Sequence, residues 1–158
     1  MLTCELLGIR IDDAGKSPIL MLRELSQPGR VLEIWIGAIE AGSIAMVEQG
    51  ITPDRPMTHD LFAELLSSQK LTLNAVRILE IKDGIFFAEL ALSDGTRIDC
   101  RPSDAIALAV RLEVPILVAE SVFNEVGYLP EAEMSDLDPE TEIAAFKSFL
   151  EDLKPEDF

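Results

Sequence analysis

The sequence predicts an α+β fold: a duplicated unit of three strands then a helix, in three layers of sheet, helix and sheet, with an amphipathic helix closing the chain. Three observations predict it. Apolar runs of strand length occur in two groups of three, and each group is followed by a helical pattern. Sliding one half by 64 positions places Ile34 on Ile98, Glu40 on Asp104, Ala41 on Ala105, Ile44 on Leu108 and Ala45 on Ala109.

The elements follow in order. Apolar segments at 2–11, 18–24 and 31–36 read as strands, separated by the turn material "DDAGK" and "SQPG". Gly37 opens a helix over "AIEAGSIAMVEQ". After the loop "GITPDRPMT" comes a short helix over "HDLFAELLSSQ", with Thr58 as the expected cap of a helix beginning at His59. Strands recur at 73–81, 85–92 and 96–100, and a helix follows at once over "PSDAIALAVRLE".

That last helix is informative about architecture. From Ala105 to Leu112 only Arg111 is polar, and a helix apolar on nearly all sides must be covered on nearly all sides. Small alanine and glycine side chains allow the helices of the two units to approach closely. "PILVA" from Pro115 reads as a short buried strand and 121–127 as a helix. Residues 1–130 thus form one domain. Residues 131–139 read as an acidic linker, and "PETEIAAFKSFLEDL" as a helix with Ile143, Phe146, Phe149 and Leu150 on one face.

Composition narrows the function classes. A chain of 158 residues, 48% hydrophobic, can bury one core. No apolar run approaches the roughly 20 residues of a membrane span, and the start lacks a signal-peptide pattern, so a cytoplasmic protein without a membrane partner is expected. Cys4 and Cys100 have no paired-ligand spacing. The net charge of −16 is uneven, since residues 131–158 carry ten acids against Lys147 and Lys154. Such a charge opposes loose binding to polyphosphates, so a nucleic-acid role requires a local basic site or bound divalent cations. Self-association, most simply as a symmetric homodimer, suits the apolar composition.

Three helix starts carry candidate chemistry. In "RIDCRPSDAIALA", Arg101 and Asp104 sit where strand gives way to helix, a junction whose free amides and dipole suit an anion. Alternation puts Arg97 and Asp99 on one strand face and Ile98 and Cys100 on the other. The first unit offers Glu40 at the matching turn, but Trp35 stands where Asp99 stands in the second. Trp35 reads as core or interface, with base stacking as the functional alternative. In "RPMTHDLF" the only histidine, His59, is a candidate base or metal ligand. Each start also has a structural reading: Pro102 is an ordinary first helical residue, and Glu40, Asp60 and Asp104 are ordinary first-turn acids. No phosphate-cradling glycine loop or nucleophile elbow is present.

The ordered set "IWIGAIEAGSIA", "RPMTHDLF", "FFAEL" and "IDCRPSDAIALAVRLEVPILV" resembles the bifunctional nuclease domain family over about residues 2–129, and the acidic tail resembles that of actinobacterial members. The segment "VLEI" stands where many members have a proline, a departure in the strand and not at the site. The resemblance implies the duplicated three-layer fold and hydrolysis of RNA and DNA. It places family motif positions on Glu40, Arg55, Thr58, His59, Asp60, Asp99, Arg101, Ser103 and Asp104. On a metal-dependent nuclease, His59, Asp60, Arg101 and Asp104 are the catalytic set, with His59 as general base and Arg101 on the phosphate. Arg55, Thr58 and Ser103 bind substrate, and Glu40, Asp99 and Asp104 are the candidate ligands of magnesium or manganese. The alternative is a non-catalytic regulatory module in which the same residues brace loops. The two differ in one geometric matter: whether Glu40, His59, Asp60 and Asp104 meet.

Overall fold

The computed structural model describes residues 1–12, 16–27 and 29–130. The linker and terminal helix expected over 131–158 lie outside the described residues. Eleven elements follow the chain: β1 (Leu2–Ile11), β2 (Pro18–Glu24), β3 (Val31–Trp35), α1 (Ala38–Glu48), α2 (Thr58–Ser68), β4 (Leu73–Lys82), β5 (Ile85–Leu92), β6 (Arg97–Cys100), α3 (Pro102–Leu112), β7 (Ile116–Val118) and α4 (Glu120–Val126). No described helix is long and apolar enough to cross a membrane.

Strands β1 to β3 form one antiparallel meander and β4 to β6 another, and each is followed by a helix that starts within a few residues. The two meanders are joined at β7. This short strand pairs antiparallel with β1 and parallel with β4, joining the meanders into a single seven-stranded sheet of order β3-β2-β1-β7-β4-β5-β6. The physical reason lies in its sequence: Ile116 and Val118 are buried, and a buried strand must satisfy its backbone on both edges. Where β1 bends against β2, the register shifts between Leu6 and Gly8. Gly8 takes φ +132 there, a conformation that a side chain resists.

Most of the core lies on the face of the sheet that carries Leu20, Leu22, Leu32, Ile34, Val76, Ile78 and Leu90, packed with α1 and α3. Within α3 the five residues Ala105 to Ala109 are all buried, more than a full turn, so no side of that stretch faces water. Full burial of Ile106 and Leu108 contributes about 2 kcal/mol each. The alanines Ala41 and Ala45 on α1 and Ala105 and Ala109 on α3 are buried as well, and α1 packs on α3. On the other face Ile19, Met21 and Val31 form a small second cluster with Tyr128, whose hydroxyl donates to Glu33 at 2.7 Å. Strand β2 is therefore covered on both faces, which accounts for its unbroken apolar run.

Trp35 is 61% exposed, not a core residue. It ends the edge strand β3, and alternation turns it away from Leu32 and Ile34 to the outer face.

Candidate functional site

Three helix starts converge because α3 packs against both α1 and α2. Each start is set locally. Pro102 supplies the fixed φ of a first helical residue behind Arg101, which takes the cap position in extended conformation and puts Asp104 in the first turn. On α2 the cap position falls on Met57, one residue earlier than expected. Asp60 reaches back to accept the Met57 backbone N–H at 2.9 Å, which ties the first turn of α2 to its cap position. On α1 the carboxylate of Glu40 curls over the helix start so closely that a Cβ at Gly37 would run into it.

The side chains from these starts form one continuous chain of contacts. Arg101 donates from Nε to Asp104 Oδ2 at 2.7 Å and from Nη2 to Asp104 Oδ1 at 3.0 Å, and Nη2 also lies 2.9 Å from Glu40 Oε1. Asp104 Oδ1 is 3.2 Å from His59 Nε2. The other ring nitrogen, Nδ1, is 3.0 Å from Ser43 Oγ. Ser43 accepts from Arg111 Nη2 at both its hydroxyl, 3.0 Å, and its backbone carbonyl, 3.1 Å. Arg111 Nε finally donates to Asp60 Oδ1 at 2.6 Å. Glu40, His59, Asp60 and Asp104 therefore meet, through two arginines and a serine.

The network grades from open to closed. The Arg101 side chain is 64% exposed and that of Arg111 only 7%, with the His59 ring at 15%. Burial raises the Asp104 carboxyl, but hydrogen bonds from Arg101 and His59 and their charges outweigh it and hold the group below its ordinary value. Asp60 behaves alike: burial opposes ionisation, and Arg111, the Met57 amide and the His59 charge overcome it. Arg101 is pushed above its usual range, chiefly by its hydrogen bonds to Asp104. The network holds three carboxylates, two guanidiniums and one imidazole.

The remaining expected residues stand apart from this chain. Asp99 is exposed on β6 opposite Glu89, on the sheet face away from Ile98 and Cys100, which pack on the core. Ser103 is buried in α3, while Arg55 is exposed in the loop before α2 and Thr58 is exposed at the first residue of α2. Among the described residues no three histidine, cysteine or acidic groups come together as a metal-ligand set. Glu40 and Asp104 instead share the Arg101 guanidinium, which stands between them where a cation would have to sit. The residues present do not fit a magnesium or manganese site of the expected ligands.

Two members were missed in the sequence. Arg111 was visible as the one polar residue in a buried helical run, and a buried guanidinium demands a carboxylate. Its spacing to Asp60 carries no local signal. Ser43, mid-helix in an apolar stretch, had none at all.

A model of the bifunctional nuclease domain matches residues 20–131 of the chain. The chain belongs to the bifunctional nuclease domain family. Every residue of the network, from Glu40 to Arg111, falls inside the part of the chain that matches this domain. Two uncharacterized proteins of Mycobacterium tuberculosis, from strains CDC 1551 / Oshkosh and H37Rv, are each 39% identical to the chain over 155 residues. Those matches span 96% of this chain and 94% of each relative. Bifunctional nuclease 1 of Arabidopsis thaliana is 26% identical over 117 residues, 70% of this chain and 36% of the plant protein. That match leaves most of the plant protein's length unmatched.

Proposed function

We propose that the chain hydrolyses phosphodiester bonds in RNA or DNA at the Arg101–Asp104–His59 end of the network. The observation that carries this is the position of Arg101: a guanidinium at the open end of a buried charge network, in a protein whose net charge is −16. The likeness to a plant protein named as a bifunctional nuclease supports the choice of substrate. The helix order, in which each three-stranded meander leads into a helix, supports descent from a duplicated unit.

The chain's own groups carry each step. Arg101 turns part of its fork from the acids to the non-bridging oxygens of a phosphodiester and stabilises the charge that grows on them. Asp104, released from one of its bonds, takes a proton from the attacking water as its oxygen bonds to phosphorus. His59, as imidazolium, gives its Nε2 proton to the leaving oxygen as the old bond breaks. Asp104 then returns the captured proton across 3.2 Å to Nε2, and both groups are reset. His59 is here an acid, not the base expected from the sequence, because Nε2 faces a carboxylate. Ser43 and Arg111 hold the ring, and Asp60 holds Arg111.

The test is cleavage of single-stranded RNA and DNA by the full chain, in chelator and in magnesium or manganese. Cleavage lost in both Asp104→Asn and His59→Gln, with circular dichroism unchanged, is the expected result. Cleavage that survives both substitutions overturns the assignment. A regulatory module without catalysis is the second reading, favoured by the fact that each acid of the network already has an arginine or amide partner. It is separated by the absence of cleavage in any condition.

A further inference from the structure

Beside the closed end of the network lies a cleft of ≈ 380 Å³, between the loop after α1 and the first turns of α2. Val47, Ile51, Pro53 and Pro56 supply apolar wall, and Asp60 and Arg111 of the network line it too. Its size falls in the range of small-molecule sites, which are typically about 300–1,000 Å³. The cleft of ≈ 370 Å³ on the Lys70 side of α2 contains no residue of the network.

Two polar groups in the first cleft are not consumed by the fold. Glu64, one turn along α2 from Asp60, is exposed and makes no hydrogen bond or ion pair among the described residues. Arg111 has five N–H donors, of which Asp60, Ala107 and the two Ser43 acceptors take four. One N–H on Nη1 has no acceptor among the described residues. Thr52 adds a hydroxyl. A carboxylate offers two parallel acceptors, and the base that presents two adjacent donors on its pairing edge, with a carbonyl acceptor next to them, is guanine. Apolar proline and aliphatic walls suit the faces of a planar ring. Arg55 lies in the loop between Pro53 and Pro56 and is exposed.

We infer that this cleft takes an unpaired guanine base, held by Glu64 on its two ring-edge donors, and that it is the base-recognition subsite of the chain. The inference deepens the nuclease reading and rests on it for the biological substrate. It does not rest on cleavage for its test. An unpaired guanine is required because the same edge is occupied in a duplex, so the subsite selects single strands.

The experiment is equilibrium binding of guanosine, adenosine, cytidine and uridine 5′-monophosphates to the full chain by titration calorimetry, with Glu64→Gln alongside. One bidentate base contact is worth about tenfold or more in discrimination. Expected is guanosine monophosphate bound about tenfold tighter than the other three, with the preference abolished in Glu64→Gln while circular dichroism is unchanged. Equal binding of all four, or a preference that survives Glu64→Gln, overturns the inference. Cleavage of single strands without preference for guanine, together with equal binding, sinks the subsite and leaves the nuclease reading standing. Guanine preference in a chain that cleaves nothing supports the subsite and sinks the nuclease reading.

Discussion

Arg111 on α3 donates to Asp60 on α2 at 2.6 Å while its own side chain is almost wholly buried. One guanidinium thereby ties three helices, because its other nitrogens reach Ser43 on α1 and Ala107 on α3. Removing it strands the Asp60 carboxylate and the Ser43 carbonyl together. Arg111→Ala is expected to cost about 3 kcal/mol, at the low end for a broken buried pair because Asp60 keeps some water. Arg111→Lys should recover little, since a single ammonium cannot serve acceptors on three helices at once. Urea unfolding with an unchanged slope checks both, and a loss below about 1 kcal/mol for the alanine variant would refute the brace.

Acid titration offers a second check on the network. Asp104 ionises below its ordinary value of 3.8 in the folded chain, so its contribution to stability is complete above that value and fades as pH falls through the lower folded one. Asp104→Asn lacks this contribution at every pH. The stability gap between the two proteins should shrink as pH falls below about 5 and close below about pH 4. Relief of the general negative charge on acidification acts on both proteins alike and cancels in the difference. A gap that stays constant to pH 3 would mean that Asp104 is not held by charge.

How far the sequence disclosed this molecule can be seen in particular residues. The strands and helices were legible because apolar alternation and helical spacing are local signals, and the covered state of α3 followed from its composition alone. The joining of both meanders through β7 was not legible, because strand pairing partners far apart in the chain leave no mark in either segment. Of the two readings of Trp35, core or interface, its exposed place at the end of an edge strand removes the first. At the site, Glu40, His59, Asp60, Arg101 and Asp104 were found as helix starts. That Asp99 faces away from them depends on which strand face meets the core. The alternation had been drawn correctly, with Ile98 and Cys100 opposite Asp99, but its consequence for the metal set appears only once the core side is known.

The cysteines give a check on that same strand orientation. Burial pushes the thiols of both Cys4 and Cys100 up to about 12, and for Cys100 the charges of Asp104, Asp99 and Glu89 act in the same direction. The thiolate is the reactive form, so both should react with a disulfide reagent at pH 8 on the order of a hundred-fold slower in the folded chain than in urea. Rapid labelling of Cys100 in the folded protein would place it on the solvent face and reverse the assignment of β6.

Glu40 separates an arginine clamp from a metal centre most sharply. In the structure Glu40 competes for Arg101 with whatever else that guanidinium holds, its Oε1 lying 2.9 Å from Nη2. Glu40→Gln keeps the shape and removes the charge, which frees Arg101 for a phosphate. If Arg101 is the phosphate ligand, KM for a single-stranded oligonucleotide should fall by a few-fold, about the effect of one partly exposed ion pair, with kcat little changed. If Glu40 is instead a ligand to a catalytic cation, the same substitution should abolish turnover by about a hundred-fold or more. Arg101→Lys completes the comparison. Under the clamp it loses the fork that grips phosphate, so kcat/KM drops while bulk stability changes little at so exposed a side chain. Steady-state kinetics on the three proteins, at fixed ionic strength, gives opposite signs for Glu40→Gln and so decides between them.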